Sequence, residues 1–292
     1  MAMFILIVIV AVAISVAAAF LYVSRIISLP PKGRAVEYLS NKSENNQRLI
    51  ACIGDSLTHS NIGASWVDQL RKEFPADIFL NEGINGDVVW QIHQRLEPIL
   101  LSKPDIVVLM IGSNDAMASF NSKSGERYKR NNNLPNIPSF QSYQKLLLEL
   151  LTKLNNVDKV FLCTLPPIGE NKDSQINQHI QRFNGFIKQT AQDRCLSLLP
   201  VSETLWNDLA LREFPLINDY NPNSIPLLRR IYGGAIHHYI FKQPWDKIAK
   251  SKGQWLLFDQ IHLGERAANI VFKLVNVIPV TLQFTLLAIS IA

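Results

Sequence analysis

Residues 104–111 form an almost unbroken run of Val, Ile, Leu and Met, and no other segment constrains the fold as much. A strand with one wet face alternates polar and apolar residues. One that is apolar throughout must be covered on both faces, as in parallel sheets flanked by helices. Residues 48–54, 77–81, 159–164 and 195–200 read as four further strands. Between them, residues 65–74, 88–101, 140–154 and 174–194 carry helical patterns, and a last helix begins near Gly264. Five strands alternating with helices predict an α/β domain with a parallel sheet and helices on both faces. Residues 119–138 are polar and aperiodic and read as a loop. Residues 205–255, with Pro215, Pro222, Pro226, Gly233 and Gly234, read as mixed helix and loop packed over the ligand crevice.

The two ends differ from this middle. Residues 2–23 carry no charge, and Ser15 is the main polar exception. About 20 apolar residues suffice to cross a bilayer as a helix. Ala17-Ala18-Ala19 offers a signal-cleavage site, and secretion after cleavage is the alternative. The amino end lacks Lys or Arg, however, and the apolar run exceeds the ~7–15 residues of a signal core. The reading is therefore an N-terminal transmembrane helix. Arg25, Lys32 and Arg34 after the span favour a cytoplasmic domain, and a sequon at Asn41-Lys42-Ser43 favours the other side. The side stays open. The expected organisation is a membrane anchor at 1–25, a linker at 26–47, a catalytic domain at 48–278 and an apolar tail at 279–292.

The net charge of +5 is carried by scattered basic residues, in segments such as 123–130 and 242–252. This is a solvated surface rather than a nucleic-acid-binding face. Cys52, Cys163 and Cys195 show neither metal spacing nor an even count and read as small buried hydrophobes in or beside strands.

Residues able to do chemistry sit where predicted strands end. Ser56, in Gly54-Asp55-Ser56-Leu57, follows the first strand; Asn81-Glu82-Gly83-Ile84-Asn85-Gly86-Asp87 follows the second; Gly112-Ser113-Asn114-Asp115 follows the third. Asp259 and His262 follow Leu256-Leu257-Phe258, three apart, as on one face of a helical turn. Carboxyl ends of strands are where open α/β sheets put their ligands. The set supplies what acyl transfer needs: a nucleophile (Ser56), a base (His262), an acid to orient it (Asp259), and oxyanion donors from a glycine N–H and an asparagine amide.

Other residues read as structural. Asp55 and Asp115 brace their turns, His59 is a crevice-wall or surface residue, and His179 lies on a polar helix. His237-His238 diverge and make no metal site. Trp90 and Phe120 belong to an acyl pocket or the core. Gly-x-Ser-x-Gly is absent, with Thr58 at the second glycine position and the serine after the first strand, which rejects the α/β-hydrolase elbow.

As a set, these motifs resemble those of the GDSL, or SGNH, hydrolase family. Gly54-Asp55-Ser56-Leu57 matches the nucleophile block, Gly86 the glycine block, Asn114 the asparagine block and Asp259-x-x-His262 the last block. Thr164-Leu165-Pro166-Pro167 is similar to the segment that ends the family's fourth strand. The resemblance spans about residues 48–275. It implies a flavodoxin-like three-layer α/β/α sandwich with a parallel five-stranded sheet and no metal or cofactor. It also implies hydrolysis of a small-molecule or lipid ester through an acyl-enzyme, with Ser56, Gly86 and Asn114 forming the oxyanion hole. Family spacing favours Gly86 over Gly83 as the donor. A carbohydrate O-acetylesterase or acetyltransferase-like enzyme on the same scaffold is the alternative, and a catalytically silent binding module is the third reading.

Overall fold

The structure, a computed structural model, describes the backbone of residues 1–41 and 47–290, and the side chains of all of these except Ser224 and residues 278–290. Lys42 and Ser43 of the sequon and the last two residues of the expected tail lie outside the described residues.

The chain opens with α1 (Ala2–Ser28) and α2 (Ala35–Ser40), then β1 (Leu49–Gly54), α3 (Ser56–His59) and α4 (Trp66–Glu73). Next come β2 (Ile78–Gly83), α5 (Val89–Gln94), α6 (Leu96–Leu101) and β3 (Ile106–Met110). Helices α7 (Ser113–Ser119), α8 (Ser122–Asn131) and α9 (Phe140–Lys153) lead to β4 (Lys159–Cys163), α10 (Gln175–Asp193) and β5 (Ser197–Leu199). The chain ends with α11 (Val201–Leu209), α12 (Ser224–Tyr239), α13 (Trp245–Ser251) and α14 (Glu265–Ser290).

The five strands pair in parallel in the order β2-β1-β3-β4-β5, the flavodoxin-like winding whose direction reverses between β1 and β3. Every residue of β1 and β3 is buried. Successive side chains of a strand point to opposite faces, so Leu49, Ala51 and Ile53 join a core with α9 and α10. Ile50 and Cys52 join a second core with α4, α11 and α14.

Several segments differ from the sequence reading. The helix expected over 88–101 is two, broken at Arg95. Pro98 has no N–H for the Gln94 carbonyl and clashes with it, so the first helix stops one turn earlier. The stretch 119–138 contains α8, capped by Asn121, whose side chain accepts from the Ser124 N–H at 2.8 Å. Its polar composition hid it, because it buries only a narrow strip including Ser124 and Gly125. Within the stretch read as linker, α2 is fixed by Glu82, which accepts the Ala35 N–H at 2.7 Å. The last helix does not stop near Ile278 but runs to Ser290, through Pro279; no glycine or charge interrupts the apolar run after that proline. Cys195 is exposed and precedes β5, with φ of 52°, because the chain turns there before entering the sheet; Cys52 and Cys163 are buried.

Among the described residues one helix is long and apolar enough to cross a membrane, α1. Its final turns are held by the domain. Val23 is fully buried in a cluster with Ile62, Ala235, Trp245 and Phe258. The Asn61 amide donates to the Ile26 and Ile27 carbonyls at 2.9 and 3.0 Å.

Candidate active site

β1 ends at Gly54, and the chain turns directly into the short helix α3. A Cβ on Gly54 would press against the Thr58 side chain and the Met110 carbonyl, so the turn requires glycine. Asp55 caps α3, accepting the Leu57 N–H at 3.0 Å. This places Ser56 at the first helical position, beside the sheet's topological switch point.

Across the crevice, Leu257 and Leu263 form an antiparallel bridge that pinches residues 258–262 into a tight loop. Gln260 stands at φ 79°. The spacing of Asp259 and His262 is therefore made by a turn, not by the helix expected from the sequence. One carboxylate oxygen of Asp259 accepts the N–H groups of Ile261 and His262 at 3.0 and 2.8 Å. The other lies 2.7 Å from His262 Nδ1, and His262 Nε2 lies 3.0 Å from Ser56 Oγ. Asp259 is fully buried, and Ser56 and His262 are 7 % and 5 % exposed. Burial alone would raise the Asp259 carboxyl. The adjacent imidazole and the bonds from His262 and Ile261 outweigh it and hold the group below its ordinary value.

The glycine segment is bonded to the end of β1, the Ile84 N–H donating to the Gly54 carbonyl at 3.3 Å. Gly86 adopts φ 81°, a left-handed conformation that suits glycine. The Asn114 amide nitrogen donates to the Asp87 carbonyl at 3.0 Å, and its oxygen accepts from the Tyr128 hydroxyl at 2.7 Å. With its oxygen engaged by Tyr128 and one N–H by Asp87, the amide keeps a second N–H as a donor. The N–H groups of Ser56 and Gly86 have no acceptor among the described residues. Gly83, the competitor to Gly86, has a packing role. A Cβ there would collide with the His59 backbone.

Asp115 accepts the Val89 N–H at 3.1 Å and so ties its turn to the start of α5 rather than bracing the turn itself, whereas Asp55 does cap its own turn. Burial pushes both carboxyls up to about 7. His59 is buried rather than a surface residue, and burial pushes it down to about 4. His179 bonds Ser119 Oγ at 3.0 Å and touches Phe120 and Phe183. His238 stacks on Trp245 at 4.0 Å. Trp90 lines a small cavity with Leu134 and Ile137, and Phe120 packs against the main core.

Three supporting groups are absent from the sequence reading. Arg95 donates to Asp87, Glu82 and the Gly54 carbonyl at 2.8–3.1 Å, and Arg34 shares Glu82. An acid closing an apolar strand was the visible signal, since a buried charge demands a partner. Tyr128 lay in the stretch read as a loop. Glu170, with no exposed side-chain surface, accepts the N–H groups of Trp255, Leu256 and Leu257 at 2.6–2.9 Å and pairs with Arg212 at 3.2 Å. It follows β4 as the other site segments follow their strands.

A parallel sheet wound in this order, with a serine, a histidine and a carboxylate in one buried hydrogen-bonded chain at its switch point, defines the class as a serine-type carboxylic ester hydrolase. The GDSL-like lipase/acylhydrolase family matches residues 52–266, and the chain belongs to that family. No curated protein matches it. Among solved structures it is similar to an acetylxylan esterase, Axe2, from Geobacillus stearothermophilus. That match has 16% identity and a TM-score of 0.56, and covers 78% of this chain and 91% of the esterase. It is also similar to LAE5, described as an alpha/beta hydrolase enzyme from the metagenome of Lake Arreo, Spain. There the identity is 18% and the TM-score 0.52, with 78% of this chain and 92% of the other covered. At such identities the likeness is one of fold.

Proposed function

We propose that Ser56, His262 and Asp259 form the catalytic triad, with the N–H groups of Ser56 and Gly86 and the Asn114 amide as oxyanion donors. The hydrogen-bonded chain from Asp259 through His262 to Ser56 carries this reading. With Asp259 ionised, the proton sits on His262 Nδ1 and leaves Nε2 to accept from the serine hydroxyl. Ser56 Oγ attacks the ester carbonyl as Nε2 takes its proton, and the three donors hold the oxyanion. The imidazolium then gives that proton to the departing alcohol, leaving the acyl group on Ser56. A water, deprotonated by the same nitrogen, releases the acid and restores the serine.

Ser56→Ala is expected to abolish turnover of a p-nitrophenyl ester and labelling by a fluorophosphonate. Undiminished turnover in that variant discards the assignment. A carbohydrate O-acetylesterase is the second reading, supported by the substrate named for the similar esterase. Rates on a panel from acetyl to palmitoyl esters separate it from a long-chain acylhydrolase.

We also propose that α1 remains attached as a membrane anchor. Its apolar residues from Met3 to Leu21 are largely exposed, while its last turns are bonded to Asn61 and packed on α12. Retention of the intact amino terminus, by mass spectrometry of protein extracted from membranes, is the expected result. A protein beginning near residue 20 contradicts it.

A further inference from the structure

A cavity of about 380 Å³ opens at Gly86, between the end of α8 and the start of α12. Its wall is directly linked to the proposed oxyanion donors. Tyr128, which lines it, holds the Asn114 amide, and the Asn132 side-chain oxygen lies 3.4 Å from where a Gly86 Cβ would stand. Arg127, Arg130, Asn131 and Asn132 supply the polar lining, Leu227 and Leu228 supply an apolar wall, and no Asp or Glu is among the lining residues.

Arg127 is not a loose surface cation. It donates to the Pro222 carbonyl at 2.6 Å and so spans from α8 to the segment before α12, its guanidinium 5.7 Å from the Tyr128 ring centre. Arg130 is exposed at the rim. Cations in a last helical turn often just complement the helix carbonyls, and Lys129 and Arg130 do stand there. That account does not explain Arg127, one turn earlier and tied across the cavity, nor two guanidiniums and two amides around a space without a carboxylate.

We infer that this cavity selects esters carrying a phosphate group, with Arg127 and Arg130 as the recognising residues. The inference rests on the oxyanion assignment above, which puts the ester carbonyl beside Gly86. Two planar guanidiniums match phosphate oxygens in paired hydrogen bonds, and the Asn131 and Asn132 amides supply further donors. Two sources of such an ester fit: a soluble phosphorylated alcohol, and a lipid with a phosphate head group. The lipid source is compatible with α12, which gives Leu227 and Leu228 to the cavity and stacks Tyr232 on Phe20 of α1 at 4.6 Å.

The test uses the full chain in detergent and compares kcat/KM for acetylglycerol 3-phosphate with that for acetylglycerol. A second arm compares long-chain 1-acylglycerol 3-phosphate with the matching monoacylglycerol. The expected result is a preference for the phosphorylated ester of roughly tenfold or more at low salt in at least one arm, weakening as salt rises. Arg130→Glu is expected to lower that ratio by roughly tenfold or more. Preference in both arms identifies phosphate itself as the determinant, and preference in the long-chain arm alone identifies the lipid source. Fluorophosphonate labelling of Ser56 in the same preparation separates two failures. A labelled enzyme whose ratio is near one, or is unmoved by Arg130→Glu, overturns the inference and leaves the triad standing. An unlabelled enzyme without ester turnover overturns both.

Discussion

His262 Nε2 lies 3.0 Å from Ser56 Oγ although 206 positions of chain separate the two residues. β1 delivers the serine, and the bridged loop ahead of α14 delivers the histidine. Each is pinned by an aspartate whose side chain accepts the N–H of a nearby turn residue. Rigid turns at strand ends hold the two groups together without a bound substrate, so the cost of orienting them is met in folding.

Asp259→Asn tests the tautomer. The asparagine oxygen can keep the Ile261 and His262 N–H bonds, so its NH2 faces His262 Nδ1 and forces the proton onto Nε2. A loss in kcat of roughly 10³–10⁴-fold is expected, with the fold intact by circular dichroism.

Asn114→Ala removes a proposed oxyanion donor and is expected to lower kcat by about 10²–10³-fold with little change in KM. Tyr128→Phe leaves the amide in place but frees its oxygen. A smaller fall in kcat, about tenfold, is expected if orientation is what Tyr128 supplies. Steady-state kinetics on one ester separates the two variants.

Glu170→Ala deprives three N–H groups just ahead of Asp259, and also Arg212, of their shared acceptor. Breaking a buried pair of this kind costs roughly 3–5 kcal/mol. Urea unfolding is expected to show that loss, and surviving folded protein is expected to label more slowly with fluorophosphonate.

The stability contributed by Asp55 and Asp115 is expected to fall as pH rises from about 4 to 7, opposed in part by His59, whose value is lowered to about 4. Asp55 and Asp115 have folded-state values raised to about 7, above the ~3.9 of an unfolded aspartate. In that interval the folded state binds more protons, so their stabilising protonated form is lost as pH climbs through the folded value. Asp259, held low, acts oppositely and is lost only as pH drops below the unfolded value. Asp55→Asn mimics the protonated acid and keeps an acceptor for Leu57. It is expected to raise Tm at pH 8 by about 2–4 °C for each kcal/mol recovered, with a smaller effect at pH 5. An equal Tm change at both values contradicts the titration.

Gly54-Asp55-Ser56, Gly112-Ser113-Asn114-Asp115 and Asp259-x-x-His262 were legible because each interrupts an apolar strand-like run with residues that strands exclude. The strands themselves were legible because full burial demands unbroken Val, Ile and Leu. Local chemistry determined these features, and they carried the fold class and family. What the sequence by itself could not decide were contacts between distant segments. Glu170 under the histidine loop, Tyr128 on Asn114, Arg95 against Asp87 and Asn61 on the last turn of α1 each pair residues whose partner depends on packing. The turn that aligns Asp259 with His262 belongs to the same group, because a bridge from Leu257 to Leu263 fixes it. Hydrophobic periodicity reports which face of an element is buried. The identity of a polar group's partner follows only once the sheet has brought its strand ends to one edge.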